Sequence, residues 1–219
     1  MGSLLVTGIF SLWLYTAHIL PERYGVMALA LTLVAYMANM DGGFRTVISR
    51  AVLAEGNNEK REELLAFGQK LYTWLNSLIL AGNVLLMAVY ALMPGPRAEG
   101  LGLAFFTAFA VSNALLVGAN IQAGMFIAVQ EQSRLFILQT LGAWAGVNAL
   151  AFALTQGWDL WAIPFSSFIS FVAIYPLSVR WIKKTFPTLR IFDWRIDQKF
   201  RAHFHALKIE AWYCFRAPR

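Results

Sequence analysis

Cysteine is almost missing from this 219-residue chain, and charge is scarce. The single thiol, Cys214, excludes a disulfide framework and any zinc site built from several cysteines. Only three histidines occur. His18 stands alone near the end of an apolar stretch. His203 and His205 are two apart, so a helix would point them about 200° from each other and away from a shared metal. There is no glycine-rich phosphate loop with its lysine, no nucleophile elbow and no His-Glu-x-x-His. The expectation is therefore no catalytic set, no metal, no cofactor and no enzyme. Charged residues make up 14% of the chain, against about 25% in ordinary soluble domains. That scarcity argues against a solvated globule and excludes disorder.

Apolar residues fill the gap. They reach 58%, with 8 Trp and 17 Phe, and mean hydropathy is +0.56. A membrane-spanning helix needs about 20 mostly apolar residues. Six stretches qualify, near Ser3–Leu20, Tyr24–Leu53, Leu71–Met93, Leu101–Val129, Leu135–Thr155 and Leu160–Ile182. Turn-forming or charged residues separate them: Pro21-Glu22-Arg23, the Glu55–Glu63 run, Pro94-Gly95-Pro96-Arg97, Gln130–Arg134 and Gln156-Gly157-Trp158-Asp159. The expected fold is all-α, a polytopic transmembrane helix bundle of about six spans. A lobe covers residues 1–182, and a basic cytoplasmic segment covers 183–219.

Lysine and arginine set the orientation. Five lie between spans two and three, one is Arg134, and ten follow from Arg180 onward. Only Arg23 and Arg97 fall on the other side, a split of sixteen to two. This predicts both termini in the cytoplasm of a multi-pass protein of the inner (plasma) membrane. The start of the chain lacks a basic region and a small-x-small site before Pro21, so span one does not read as a cleaved signal peptide. The same positive-inside bias accounts for the basic tail without nucleic acid.

Polar residues inside apolar stretches are costly and need an account. On a helix, Asn39, Gly42, Gly43, Thr46, Ser49 and Arg50 share an arc, flanked by Asp41 and Arg45, which are four apart and able to pair. This face is expected to look into the bundle or a watery cavity. A structural Asp41–Arg45 pair near the interface is the alternative. Asn76 and Asn83 are seven apart, as are Asn113 and Asn120, so each pair shares a helix face. These rows fit interhelical hydrogen bonds or a hydrated path. Gly142-x-x-x-Gly146 reads as close helix packing. Pro164 and Pro176 are kink positions in span six. In the tail, Phe200, Phe204, Leu207 and Ala211 form an apolar stripe on a basic amphipathic helix suited to a membrane surface.

The stretch Leu20-Pro21-Glu22-Arg23-Tyr24-Gly25, followed by Asp41-Gly42-Gly43 and Arg50-Ala51 ahead of a charged loop, resembles the polysaccharide and O-antigen flippases of the multidrug/oligosaccharidyl-lipid/polysaccharide exporter superfamily. The turn lacks the glycine that commonly precedes the proline there. The motif covers about 35 residues, and the order of spans extends the resemblance along the chain. Such flippases consist of two six-helix lobes around a central cavity and work by alternating access. The resemblance thus implies an N-terminal lobe leading towards a missing seventh span, in a chain that is a gene fragment or pairs with a second lobe or second copy.

On this resemblance the substrate would be a lipid-linked oligosaccharide held among membrane lipids. Arg45 and Arg50 would attract its diphosphate, and Asp41, Asn39, Asn83, Asn113 and Asn120 would line the path. A multidrug or cation antiporter of the same superfamily, with Asp41 as ion site, is a second reading. A six-span membrane scaffold or enzyme is a third.

Overall fold

The computed structural model describes residues 2–19, 21, 23, 25, 28, 32, 44–92, 103–123, 125–187, 201 and 204. Among these residues every regular element is helical: α1 (Gly2–His18), α2 (Phe44–Ala54), α3 (Asn58–Leu92), α4 (Leu103–Ala123), α5 (Met125–Ala128), α6 (Gln132–Thr155), a 3₁₀ turn (Asp159–Trp161) and α7 (Ala162–Thr185). The stretch Gln132–Thr155 and the stretch Asp159–Thr185 are long and apolar enough to cross a membrane. Ala104–Ala119 is a shorter apolar helical stretch.

The helices begin and end for local reasons. Asn57 caps α3, its side-chain oxygen accepting the Glu59 backbone N–H at 2.9 Å. The charged residues from Glu59 to Glu63, expected in a loop, are instead the first turns of this 35-residue helix. They are good helix formers, and Glu59 lies where the helix dipole favours negative charge. At the far end of α6, the Trp158 N–H reaches the Ala153 carbonyl and the Gly157 N–H the Leu154 carbonyl, both at 3.0 Å. This Schellman closure places Gly157 at φ +75°. The same bond pattern closes α5: Glu131 N–H to Phe126 O at 2.8 Å and Gln130 N–H to Ile127 O at 3.2 Å. There the left-handed position, φ 61°, is occupied by Gln130.

Of the two prolines in α7, Pro164 falls in the first turn, where its missing N–H matters little. Pro176 is interior and leaves the Val172 carbonyl without its usual donor.

Two buried clusters divide the bundle. One joins Ile48 and Val52 of α2, Leu65, Leu71 and Tyr72 of α3, Phe126 of α5, Leu138 of α6, and Ile174 and Ile182 of α7. The other joins Leu14 of α1, Phe105, Phe106 and Phe109 of α4, Leu150 and Leu154 of α6, and Leu160 and Ile163 at the start of α7. Helices α6 and α7 pack on each other through both. A Cβ on Gly142 would overlap the Ile174 side chain, and one on Gly146 would overlap the Ser170 hydroxyl. The Gly-x-x-x-Gly spacing therefore marks a close seam between α6 and α7.

Candidate functional site: a polar interior behind an apolar surface

The outer surface is rich in large apolar side chains. Ile9, Leu12 and Trp13 of α1, Leu78, Leu85 and Val89 of α3, Ile137 and Trp144 of α6, and Phe168 and Val172 of α7 are all exposed. Several polar side chains are buried, namely Thr73, Asn83, Ser112, Asn113, Ser166, Ser167, Ser170 and Ser178, whereas Asn148 of α6 is exposed.

Serines on α7 recur at i, i+1 and i+4, so that Ser166, Ser167 and Ser170 share the face turned towards α4 and α6. Ser166 donates to the Ile163 carbonyl at 2.9 Å and Ser170 to the Ser166 carbonyl at 3.0 Å. Ser167 reaches Asn113 Oδ1 at 3.5 Å, and Asn113 Nδ2 donates to the Phe109 carbonyl at 2.8 Å. Ser166, Ser170 and Asn113 thus donate within their own helices and Ser167 across to α4, while oxygen lone pairs stay available. A cavity of about 260 Å³ lies between α1, α4, α6 and α7, lined by Thr7, Ser11, Tyr15, Ser166, Ser167 and Ser170 together with Gly146 and its apolar neighbours. A second cavity, about 340 Å³, lies between α3, α4 and α7 and is mostly hydrocarbon.

Of the residues singled out by the sequence, Asn113 joins the serine network beside the first cavity. Asn83 is fully buried on α3, and neither of its side-chain polar atoms has a hydrogen-bond partner. An amide in that state costs about 1–3 kcal/mol. Arg50 is exposed near the end of α2, away from the serine network. Arg45 lies on α2 and Asn120 on α4, but their side chains are outside the described residues, as are Asn39 and Asp41 altogether. Among the described residues, no group of three or more His, Cys, Asp or Glu is gathered closely enough to hold a metal ion.

The serine row escaped the sequence reading, which followed amides and charges. Its i, i+1, i+4 spacing inside an apolar stretch was the available signal.

Charge separates along the bundle. Around the first cluster, Lys60 and Arg61 follow the α3 cap, Arg50 lies one turn before the end of α2, and Lys183 and Lys184 fall in the last turn of α7. Arg134 ties two elements together there, 2.7 Å from Glu131 and 3.3 Å from the Thr185 hydroxyl, with its guanidinium 5.6 Å above the Trp181 ring. At the other end Arg23 pairs with Asp159 in the α6–α7 turn.

No protein family, no curated protein and no solved structure matches this chain.

Proposed function

We propose that this chain is a membrane-embedded transporter lobe, six-spanning with both termini in the cytoplasm. Its cargo is an amphipathic, hydroxyl-rich substrate of the lipid-linked oligosaccharide class, moved by alternating access. The observation that carries the reading is the number of large apolar side chains on the outside, with serines and two asparagines buried within a mainly apolar interior. Water would favour the opposite arrangement, whereas lipid favours this one and makes intramembrane polar groups turn inward. A cavity edged by hydroxyl oxygens suits sugar hydroxyls. The resemblance at Leu20–Gly25 and Asp41–Gly43 supports the substrate class. In this reading α3, about 52 Å long at 1.5 Å per residue, exceeds the roughly 30 Å hydrocarbon core, and its charged first turns stand in the cytoplasm.

Topology is tested by reporters fused after Pro94 and after Lys184, which should read opposite sides; equal readings would sink it. Transport is tested by reconstituting the chain with a fluorescent lipid-linked oligosaccharide. Six spans form one wall of a rocking pair, so headgroup movement is expected at high protein density, where copies associate, and to fall in Asn113→Leu. No movement at any density would overturn the reading.

A further inference from the structure

Helix α6 carries an amide on its outer face. The helix buries Leu138, Gly142, Gly146 and Leu150 against its neighbours. On the opposite side Ile137, Leu141, Trp144, Asn148, Ala151 and Thr155 follow at steps of four, three, four, three and four residues. That is the seam spacing of helices packed side by side with a slight left-handed wrap. Ala151 is half-buried and the other five are exposed. Two of the six are polar. Thr155 stands at the helix end, its hydroxyl donating to the Phe152 carbonyl at 2.8 Å. Asn148 lies about 10 Å further along the helix, at 1.5 Å per residue. Its Nδ2 donates one proton to the Trp144 carbonyl at 2.8 Å. A second amide proton and the Oδ1 lone pairs remain for a partner outside the bundle.

In water such an amide would be ordinary. In hydrocarbon it is costly, because lipid tails offer neither donor nor acceptor. The Asn148 side chain is too short to snorkel to the headgroups as a lysine or arginine does. An amide is also complementary to itself, holding a donor and an acceptor side by side. Copies oriented by the same positive-inside bias share one direction in the membrane. The two-fold axis of a pair therefore runs along the membrane normal, and a residue on the seam meets its own equivalent at the same depth.

We propose that a second copy of this chain covers this face, α6 against α6 about a two-fold axis. The two Asn148 amides donate to each other's Oδ1, and Leu141, Trp144 and Ala151 pack around them. A single asparagine on an apolar seam fixes register in this way. The proposal rests on the membrane reading above. None of the six seam residues lines the serine cavity, so substitutions on the seam leave its walls intact.

The test uses the full chain in phosphatidylcholine–phosphatidylglycerol liposomes, with fluorescent proteins fused to its C-terminus. Energy transfer between copies is followed as the protein-to-lipid ratio falls. Saturable pairing is expected. In Asn148→Leu the density for half-pairing should rise about threefold to tenfold, and Asn148→Gln, which keeps an amide, should lose less. Independently, in a Cys214→Ser background, oxidation should link copies carrying Leu141→Cys but not copies carrying Val172→Cys, an exposed position on α7. Failure of the topology reporters would bring down the membrane reading and this pairing with it. A chain that inserts as expected but stays monomeric at every density would overturn the pairing alone. So would Asn148→Leu pairing as tightly as the parent, or Val172→Cys crosslinking as readily as Leu141→Cys.

Discussion

The two ends of the bundle differ in the charge that borders them. At one end the cluster around Leu138 and Ile174 is mostly aliphatic and is bordered by lysines and arginines, with Arg134 linking the start of α6 to the end of α7. At the other, the cluster is likewise mostly aliphatic, and within it Phe105 meets Phe106 at 5.4 Å and Trp161 at 5.4 Å, both edge-on. An Arg23–Asp159 pair closes that end across 136 residues. Both ends thus rest on mostly aliphatic packing, and among the described residues they differ in the number of charges that border it.

Truncation of the two cores should show the largest effect. Phe106→Ala removes a fully buried ring from the end around Phe105 and Leu150 and should cost about 3–5 kcal/mol; Leu138→Ala at the basic end should cost about 2–5 kcal/mol. Thermal unfolding in bicelles measures both. If Phe106→Ala proved the milder of the two, that end would not depend on the Phe106 ring.

A smaller loss is expected where the ends share a seam. Gly146→Val forces a methyl group into the Ser170 hydroxyl and should destabilise by about 1–3 kcal/mol. Ser170→Gly in the same background should recover part of the loss. Absence of any recovery would show that the overlap is relieved elsewhere.

The two Schellman closures supply an opposed pair. Gly157→Ala puts a side chain at φ +75° and should destabilise by about 1 kcal/mol. Gln130→Gly relieves the strain at φ 61° and should stabilise by up to about 1 kcal/mol, because the Gln130 side chain is exposed and packs little. Effects of the same sign would mean that backbone strain does not govern these turns.

Surface electrostatics should matter least. Arg134→Ala is expected to cost about 1 kcal/mol, because the Trp181 ring adds to the ion pair. Asp159→Asn at the other end should cost between about 0 and 1 kcal/mol, since both partners are about one-third exposed. Raising salt should shrink the second effect more than the first; the reverse would place the cation–π contact in doubt.

Much of the fold was readable in advance because its signals are local. Apolar length, the Gln156-Gly157 stop and the close-packing glycines all act within a turn or two of the residues that carry them. The Gln130–Arg134 break and the uneven spread of basic residues were legible for the same reason. The candidate site was less so. Asn113 could be named as an intramembrane amide, but nothing in its neighbourhood of the chain announced Ser167, 54 residues away. Asn76 and Asn83 look alike in sequence, one heptad apart. Only the structure makes Asn83 fully enclosed and sets Asn76 at the wall of a cavity.

By itself, then, the chain determined helices, their apolar character and which end carries positive charge, because hydropathy and capping are decided by residues close in sequence. Tertiary structure alone decided which polar groups meet and which stay unpaired. It brought Gly146 under Ser170, Arg23 to Asp159, and Gly118 beside Asn76. Each of these pairings depends on where two helices cross. Crossing points are set by how all the side chains on both surfaces interlock, a property that no single segment possesses.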